Sequence, residues 1–394
     1  MYKNDFPFFK NSSVTYLDNA ATTQKPQAVL NKILEYYTNY CSNTHRSNHG
    51  DANRATKEFE ETRTILKEFI NAKDESEIIF TKGVTESLNM VASIFANEFK
   101  TIIISSIEHH SNITPWHMQN RTLHQGLEVV NIKENLEFDF EHFEELLKAN
   151  PNSFVSITHV SNAFGVKHNI KKIAKLTHKY NSYLMVDGAQ SLAHFEIDVQ
   201  DLDVDFYAIS SHKTYGPTGV GALYVKQELL EKLKTYQTGG ATINDVNFQR
   251  SLMLSSPYKF EAGTQNIADV IAFKEALKYI KNIGYKTIHT IEEEIYSYLH
   301  NELKKIENIV LYNNVENSIV SKSFNIKDIN SEDIGILLDK MHIAVRAGHH
   351  CAQPIMKKLN IDGTIRVSIA FYNTKEDIDI FIKALKKAIT MLKD

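Results

Sequence analysis

The sequence predicts an α/β fold, a mostly parallel sheet with helices on both faces, followed by a smaller α+β domain. Three observations predict it. Short β-rich runs alternate with amphipathic segments from about residue 75 to 235, the pattern of strand–helix repeats. Several of these runs are continuously apolar, as strands buried on both faces are. After about residue 265 the texture shifts to long helical patterns and scattered strands.

The strand runs are TIIISS (101–106), LEVVNI (127–132), FVSITHVS (154–161), YLMVDGA (183–189), FYAISSH (206–212) and GALYV (221–225). DFEHFEELLKAN (139–150) and IKKIAKLTHKY (170–180) read as helices between them. The last two strands are joined by a tight KTYGPTGVG link, whose proline and glycines suit an antiparallel turn. Beyond 265, helices are expected over 267–282 and 284–305, and strands near 309–313, 319–326, 343–347 and 364–371. A last helix is expected over about 375–392.

The chain has 394 residues, enough for one very large or two ordinary domains. Its 44 basic and 48 acidic side chains leave a net charge of −4. That excludes the basic field a nucleic-acid binder needs. Two cysteines, Cys41 and Cys351, cannot make a disulfide framework and fit a reducing setting, the cytoplasm or, for a processed chain, an organelle matrix. The N-terminus lacks the pattern of a secretory signal, and no apolar run is long enough to span a membrane.

Lys213 follows a predicted strand and sits among Ser210, Ser211, His212, Thr214 and three glycines. Small donors and flexible backbone beside a lysine suit a phosphate next to a reactive amine. Asp187 ends an apolar strand, where ligands bind in parallel sheets. It reads either as a turn residue or as a buried carboxylate that holds a ring nitrogen protonated. Gln190, three positions on, is placed to donate to a ring oxygen. TKGVTES (81–87) opens a helix, so Thr85 is either its cap or part of a phosphate cradle. His109 in IEHHSN is a core residue, a metal ligand or a ring that stacks on a flat cofactor. The missing companion spacing argues against zinc. Asn162 in HVSNAFG ends another strand in the same way. Eight such residues on one sheet edge (Thr85, His109, Asn162, Asp187, Gln190, Ser210, His212 and Lys213) suit pyridoxal 5'-phosphate held as a Schiff base.

The motifs LDNAATTQKP (17–26), THRSNHG (44–50), GVTESLN (83–89), EHHSN, THVSNAFG (158–165), VDGAQS, SSHKTYGPTGVG, FEAGTQN (260–266) and RAGHHCAQP (346–354) carry a resemblance along almost the whole chain. It resembles the fold type I, class V aminotransferase-like enzymes, and most closely the cysteine desulfurases of the SufS/CsdA group (group II). RAGHHCAQP is the strongest discriminator. The resemblance implies a seven-stranded large domain over 20–265, with 1–19 and 266–394 forming the small domain that carries Cys351 and Arg366.

It also implies roles. Lys213 binds the cofactor covalently and moves protons, Asp187 pairs with the pyridine nitrogen, Gln190 bonds the phenolic oxygen and His109 stacks on the ring. Thr85, Ser210 and His212 hold the phosphate, joined by Thr264 of a second subunit in a homodimer. Asn162, Arg346 and Arg366 bind the substrate, and Cys351 takes its sulfur as a persulfide, leaving L-alanine. Arg346, His349 and His350 are expected to raise the thiolate fraction of Cys351. The loop before Cys351 is short, so a sulfur-acceptor protein, of SufU or SufE type, is expected to collect the sulfur for iron–sulfur cluster assembly. Glu332, followed by Asp333, stands where relatives using a SufU-type acceptor often carry histidine, so both acceptor types stay open.

His45 and Arg46 are entrance residues or a solvated turn. Cys41, Ser47 and Asn48 carry no assigned role, and for Cys41 a small buried hydrophobe is preferred. L-Selenocysteine is an expected side substrate, and the alternatives are a selenocysteine lyase or another class V aminotransferase or lyase. A non-catalytic nucleotide-binding scaffold is disfavoured, since no GxGxxG or GxxxxGK[ST] opens a helix.

Overall fold

The computed structural model describes residues 2–45, 48–95, 98–123, 126–312 and 318–393. Seven strands form one sheet: β1 (Ile78–Thr81), β2 (Thr101–Ser105), β3 (Gly126–Val130), β4 (Phe154–Thr158), β5 (Tyr183–Asp187), β6 (Phe206–Ser210) and β7 (Gly221–Val225). Their order is β1-β7-β6-β5-β4-β2-β3. β7 runs antiparallel to both neighbours, and every other pair is parallel. The antiparallel β6–β7 link is the turn that the KTYGPTGVG segment predicts.

All residues of β1, β4, β6 and β7 are buried, because helices cover both faces. One face packs Ile78, Val155, Leu184 and Tyr207 into a core with helices Gln27–Asn39, Gly50–Phe69 and Ile170–Lys179. The other packs Ile104, Phe154, Met185 and Phe206 against helix Val84–Phe95. The crossover helices start where the sequence supplies caps. Asp139 accepts the N–H of His142, and Asn169 accepts that of Lys172.

Topology then fixes the site. β2, β4, β5 and β6 point the same way. β1 points with them, because β7 lies antiparallel between β1 and β6. The segments after Thr81, Ser105, Thr158, Asp187 and Ser210 therefore all leave the sheet at one edge, where open α/β sheets bind ligands.

The smaller body is an antiparallel sheet in the order β8-β9-β11-β10: β8 (Ile309–Leu311), β9 (Ser321–Ile326), β10 (Arg346–Gly348) and β11 (Thr364–Ser368). Leu299, Leu338, Phe324, Ile365, Phe381 and Leu385 fill its core, with helices Tyr285–Lys304, Ser331–Lys340 and Lys375–Lys393 packed against the sheet. Thr15–Tyr16 pairs in parallel with Ile343–Ala344, which ties the N-terminal segment to this body. Helix Ile267–Ile283 follows the expected boundary at 265. It packs on helices Gln27–Asn39 and Gly50–Phe69, and Val270, Phe273 and Leu277 share the large body's core. Among the described residues no helix is long and apolar enough to cross a membrane.

Candidate active site

A cavity of about 590 Å³ opens at the sheet edge, and all eight residues of the expected constellation line it: Thr85, His109, Asn162, Asp187, Gln190, Ser210, His212 and Lys213. Asp187 is the last residue of β5 and is buried. Its Oδ1 accepts the N–H of Ala189 at 2.9 Å. Burial raises its pKa against the opposing pull of that N–H and of Lys213. A Cβ on Gly188 would lie 2.1 Å from the Tyr207 ring, so only glycine lets the chain turn here over β6.

Lys213 ends the short 3₁₀ turn Ser211–Lys213 that follows β6. Burial lowers its pKa to about 8. Asp187 opposes this, while Arg366 and Arg346 add to it. His109 is held neutral, its pKa lowered to about 4 by burial and by Lys213. Its Nδ1 accepts the N–H of Ser111 at 3.1 Å, which leaves a flat ring with the proton on Nε2. Gln190 donates from Nε2 to the carbonyl of Ala20 at 2.7 Å. One N–H of its amide is thus engaged with backbone, and one remains for a ligand.

Thr85 is the second residue of its helix, not its cap, and its hydroxyl lies 2.9 Å from that of Ser111. The helix starts from Gly83, whose φ of +149° favours glycine. A Cβ on Gly221 would meet the Cα of Gly83 at 2.5 Å, so two glycines let the helix N-terminus settle against β7. His212 places Nδ1 3.2 Å from Thr22 Oγ1, and its carbonyl accepts from the Thr23 N–H and from Lys25 Nζ. The LDNAATTQKP segment is thus a clip over the lysine turn, a role its motif did not reveal.

These residues fit pyridoxal 5'-phosphate. The first-turn N–H groups of a helix have no intrahelical acceptors, and beside them stand Thr85, Ser210 and His212. Asp187 is a buried carboxylate that a protonated ring nitrogen would neutralise, and Lys213 is a buried amine with a depressed pKa.

The thiol segment closes over this edge. Cys351 is half-buried in the four residues between β10 and helix Gln353–Lys358. Its carbonyl accepts the His110 N–H at 2.7 Å, and its own N–H donates to His349 Nδ1 at 3.1 Å. Asn162 Nδ2 donates to the His350 carbonyl at 2.7 Å. His350 does not charge the thiol's surroundings as expected. It is buried with Nε2 2.8 Å from Thr364 Oγ1, and burial, Arg366 and Arg346 push its pKa down to about 2.

Arg366 is buried, donating from Nη1 to the Asn162 carbonyl and from Nη2 to Asp18 Oδ1 at 2.7 Å. Arg346 donates to Asp18 Oδ2 from Nη2 at 3.1 Å and from Nε at 3.3 Å. Asp18 was not singled out in the sequence, because its partners lie more than three hundred residues away. Thr264 does not reach this cavity within its own chain. It lines a second cavity of about 600 Å³ with Thr44, His45, Tyr258 and Gln265. Arg46 and Ser47 lie outside the described residues. Glu332 lies in the first turn of helix Ser331–Lys340, near Gly348. Cys41 is exposed rather than buried, because it lies in the irregular segment after helix Gln27–Asn39. No metal-holding cluster of His, Cys, Asp and Glu occurs among the described residues.

Comparison with known proteins returns one family, aminotransferase class-V, matched over residues 15–381. A cysteine desulfurase of Wigglesworthia glossinidia brevipalpis is 39% identical over 99% of the chain and 97% of its own length. A probable cysteine desulfurase of Mycolicibacterium paratuberculosis is also 39% identical over 98% of the chain, which spans 57% of that relative's length. Among solved structures, the apo cysteine desulfurase of Thermococcus onnurineus NA1 superposes with a TM-score of 0.94 at 35% identity, covering 99% of this chain and 98% of that one.

Proposed function

The chain belongs to the class-V aminotransferases and, within them, to the cysteine desulfurases, and from that premise we propose that it takes the sulfur from L-cysteine, leaving L-alanine and a persulfide on Cys351. The family depends on pyridoxal 5'-phosphate. When bound, that cofactor supplies an aldehyde for the substrate amine and a sink for the electron pair left at the α-carbon.

The chain's own residues do the rest. Lys213, with a pKa near 8, has a fraction of free amine at neutral pH and can take the α-proton. Asp187 would hold the cofactor's ring nitrogen with its buried carboxylate, and neutral His109 would offer a flat face without adding charge. Thr85, Ser210 and His212 would hold the phosphate, and Gln190 would donate its remaining amide N–H to the ring oxygen. Asn162, Arg366 and Arg346 take the substrate carboxylate. Cys351 thiolate attacks the substrate sulfur: an S–S bond forms, the C–S bond breaks, and a proton goes to carbon to give alanine. Oxidation states balance between the two products, so no outside oxidant is needed.

The observation that carries the reading is the Lys213–Asp187 cavity with Cys351 tethered to its wall through His110. The short loop supports placement in the SufS/CsdA group and delivery of the sulfur to a SufU- or SufE-type acceptor, and the place of Thr264 in a separate cavity supports a homodimer that lends it to the partner's phosphate. Alanine and sulfide release from cysteine is the test, in wild type, Cys351→Ser and Lys213→Ala. Wild type should release both, and neither variant should. Sulfide release surviving Cys351→Ser would overturn the persulfide, and transamination surviving it would favour an aminotransferase.

A further inference from the structure

The segment Leu17–Pro26 enters the site, yet its acidic residue has no part in the chemistry above. Asp18 is fixed through its flanking residues. Leu17 donates to the Ala344 carbonyl and accepts from the Ser368 N–H, and Asn19 Nδ2 donates to the Ser368 carbonyl at 2.8 Å. From that mount its carboxylate holds Arg366 on Oδ1 and Arg346 on Oδ2. The two arginines are register partners on the antiparallel strands β10 and β11. Like charges placed opposite each other across strands repel, so the pair needs a bridging anion to stay together.

We propose that Asp18 is a positioning residue for the substrate carboxylate: it clamps Arg346 and Arg366 together so that the pair presents one net positive charge to the Lys213 cavity. The proposal rests on the reading of the chain as an amino-acid-binding enzyme. Two guanidinium groups and one carboxylate leave a single uncompensated charge. Donor capacity is left over as well: the Nε of Arg366 is buried without an acceptor. A cation buried in this way is stabilised by a paired anion, and one further carboxylate completes the set. Arg366 reaches the cavity wall directly: its Nη1 donates to the carbonyl of Asn162, which lines the Lys213 cavity. Removing Asp18 frees half-exposed Arg346 to swing away from its like-charged partner, so the two forks no longer converge.

A structural role would also be served by offsetting repulsion between β10 and β11, and the test separates the two. Binding of L-alanine and of ethylamine, which lacks the carboxylate, is measured by calorimetry on the cofactor-loaded protein. Asp18→Asn should weaken alanine by about tenfold, the loss of a charge-assisted contact, and ethylamine by less than about twofold. Asp18→Glu should restore part of the alanine affinity. Arg346→Gln, a change at a half-exposed position, should give the same carboxylate-selective loss. Alanine affinity unchanged in Asp18→Asn or in Arg346→Gln, or alanine and ethylamine weakened alike, would overturn the proposal. Sulfur release is not read here. A chain that binds alanine through this clamp but yields no sulfide from cysteine would sink the desulfurase reading and leave the clamp standing.

Discussion

The backbone N–H of His110 donates to the carbonyl of Cys351 at 2.7 Å, so the turn that brings His109 into the Lys213 cavity also grips the thiol loop. The grip continues through Asn162 to the His350 carbonyl and through Gln353 N–H to His110 Nε2. Ala352 is buried between these contacts. His350 and Cys351 both hold left-handed backbone, with φ of +52° and +54°. A loop held at so many points has little reach.

Persulfide on Cys351 should therefore wait for an acceptor that comes to it. Turnover with a small reductant alone should be several-fold slower than turnover with a SufU- or SufE-type protein, measured as alanine formed per minute. Equal rates would remove the argument from loop restraint.

Lys213 gives a pH signature. Its pKa in the folded chain is about 8 against 10.5 for the free side chain, with burial as the main cause. Between those values the unfolded chain binds the proton and the folded chain does not, so stability rises as pH climbs from 8 to 10.5. Below 8 the full cost is present. The gap of 2.5 (10.5 minus 8) corresponds to about 3 kcal/mol, an upper bound because Asp187 loses its counter-charge when the lysine goes. Apoprotein carrying Lys213→Met should accordingly unfold at higher urea than wild-type apoprotein at pH 7. The difference should shrink toward pH 10.5, and a difference that grows with pH would contradict the assignment.

Six of the seven large-sheet strands are legible as apolar runs, because each is five residues long and bounded by turn or cap residues. β1 is not. Ile78–Thr81 is a four-residue run beside TKG, and nothing local tells it from the start of the next helix. The eight cavity residues are legible because parallel strands end at one edge, which is a property of topology. Asp18 and the buried state of His350 are not, since both arise from β10–β11 pairing and from contacts between distant segments. The expected edge of the large domain at 265 falls before a helix whose apolar stripe is equally consistent with either body. Only packing on Gln27–Asn39 and Gly50–Phe69 shows which core it enters.

Glu261 should be the costliest acidic residue to lose outside the site. Its two oxygens take Nη1 and Nη2 of fully buried Arg63 at 2.7 and 2.9 Å, and Oε1 also accepts the Phe80 N–H. Arg63 in turn donates to the Ile78 carbonyl, so the pair ties helix Gly50–Phe69 to edge strand β1. Glu261→Ala leaves the buried guanidinium with part-exposed Glu60 as its one remaining carboxylate and the Phe80 N–H without its acceptor, and should cost about 3–5 kcal/mol. The urea midpoint reads it, and a variant as stable as wild type would show that Glu60, at 2.8 Å from Arg63 Nε, suffices as counter-ion.

Thr264 makes the oligomeric state testable. It sits three residues after Glu261, in a wall shared with Thr44, His45 and Tyr258 that is separate from the Lys213 cavity. A role at the phosphate therefore requires a second copy of the chain. The surface offers apolar material for one: Val246 and Leu252 on the hairpin strands Ile243–Val246 and Ser251–Met253, fully exposed Phe248 at its tip, and Leu34 and Tyr37 on helix Gln27–Asn39. Exposed side chains of this size mark interfaces where they gather into a patch. Sedimentation should give a mass of about 90 kDa, twice 45.0 kDa. Thr264→Val should then weaken pyridoxal phosphate retention by a few-fold, the worth of one hydroxyl contact to a phosphate, without changing that mass. A monomer that keeps full cofactor affinity, or a dimer in which Thr264→Val retains cofactor as wild type does, would remove Thr264 from the site.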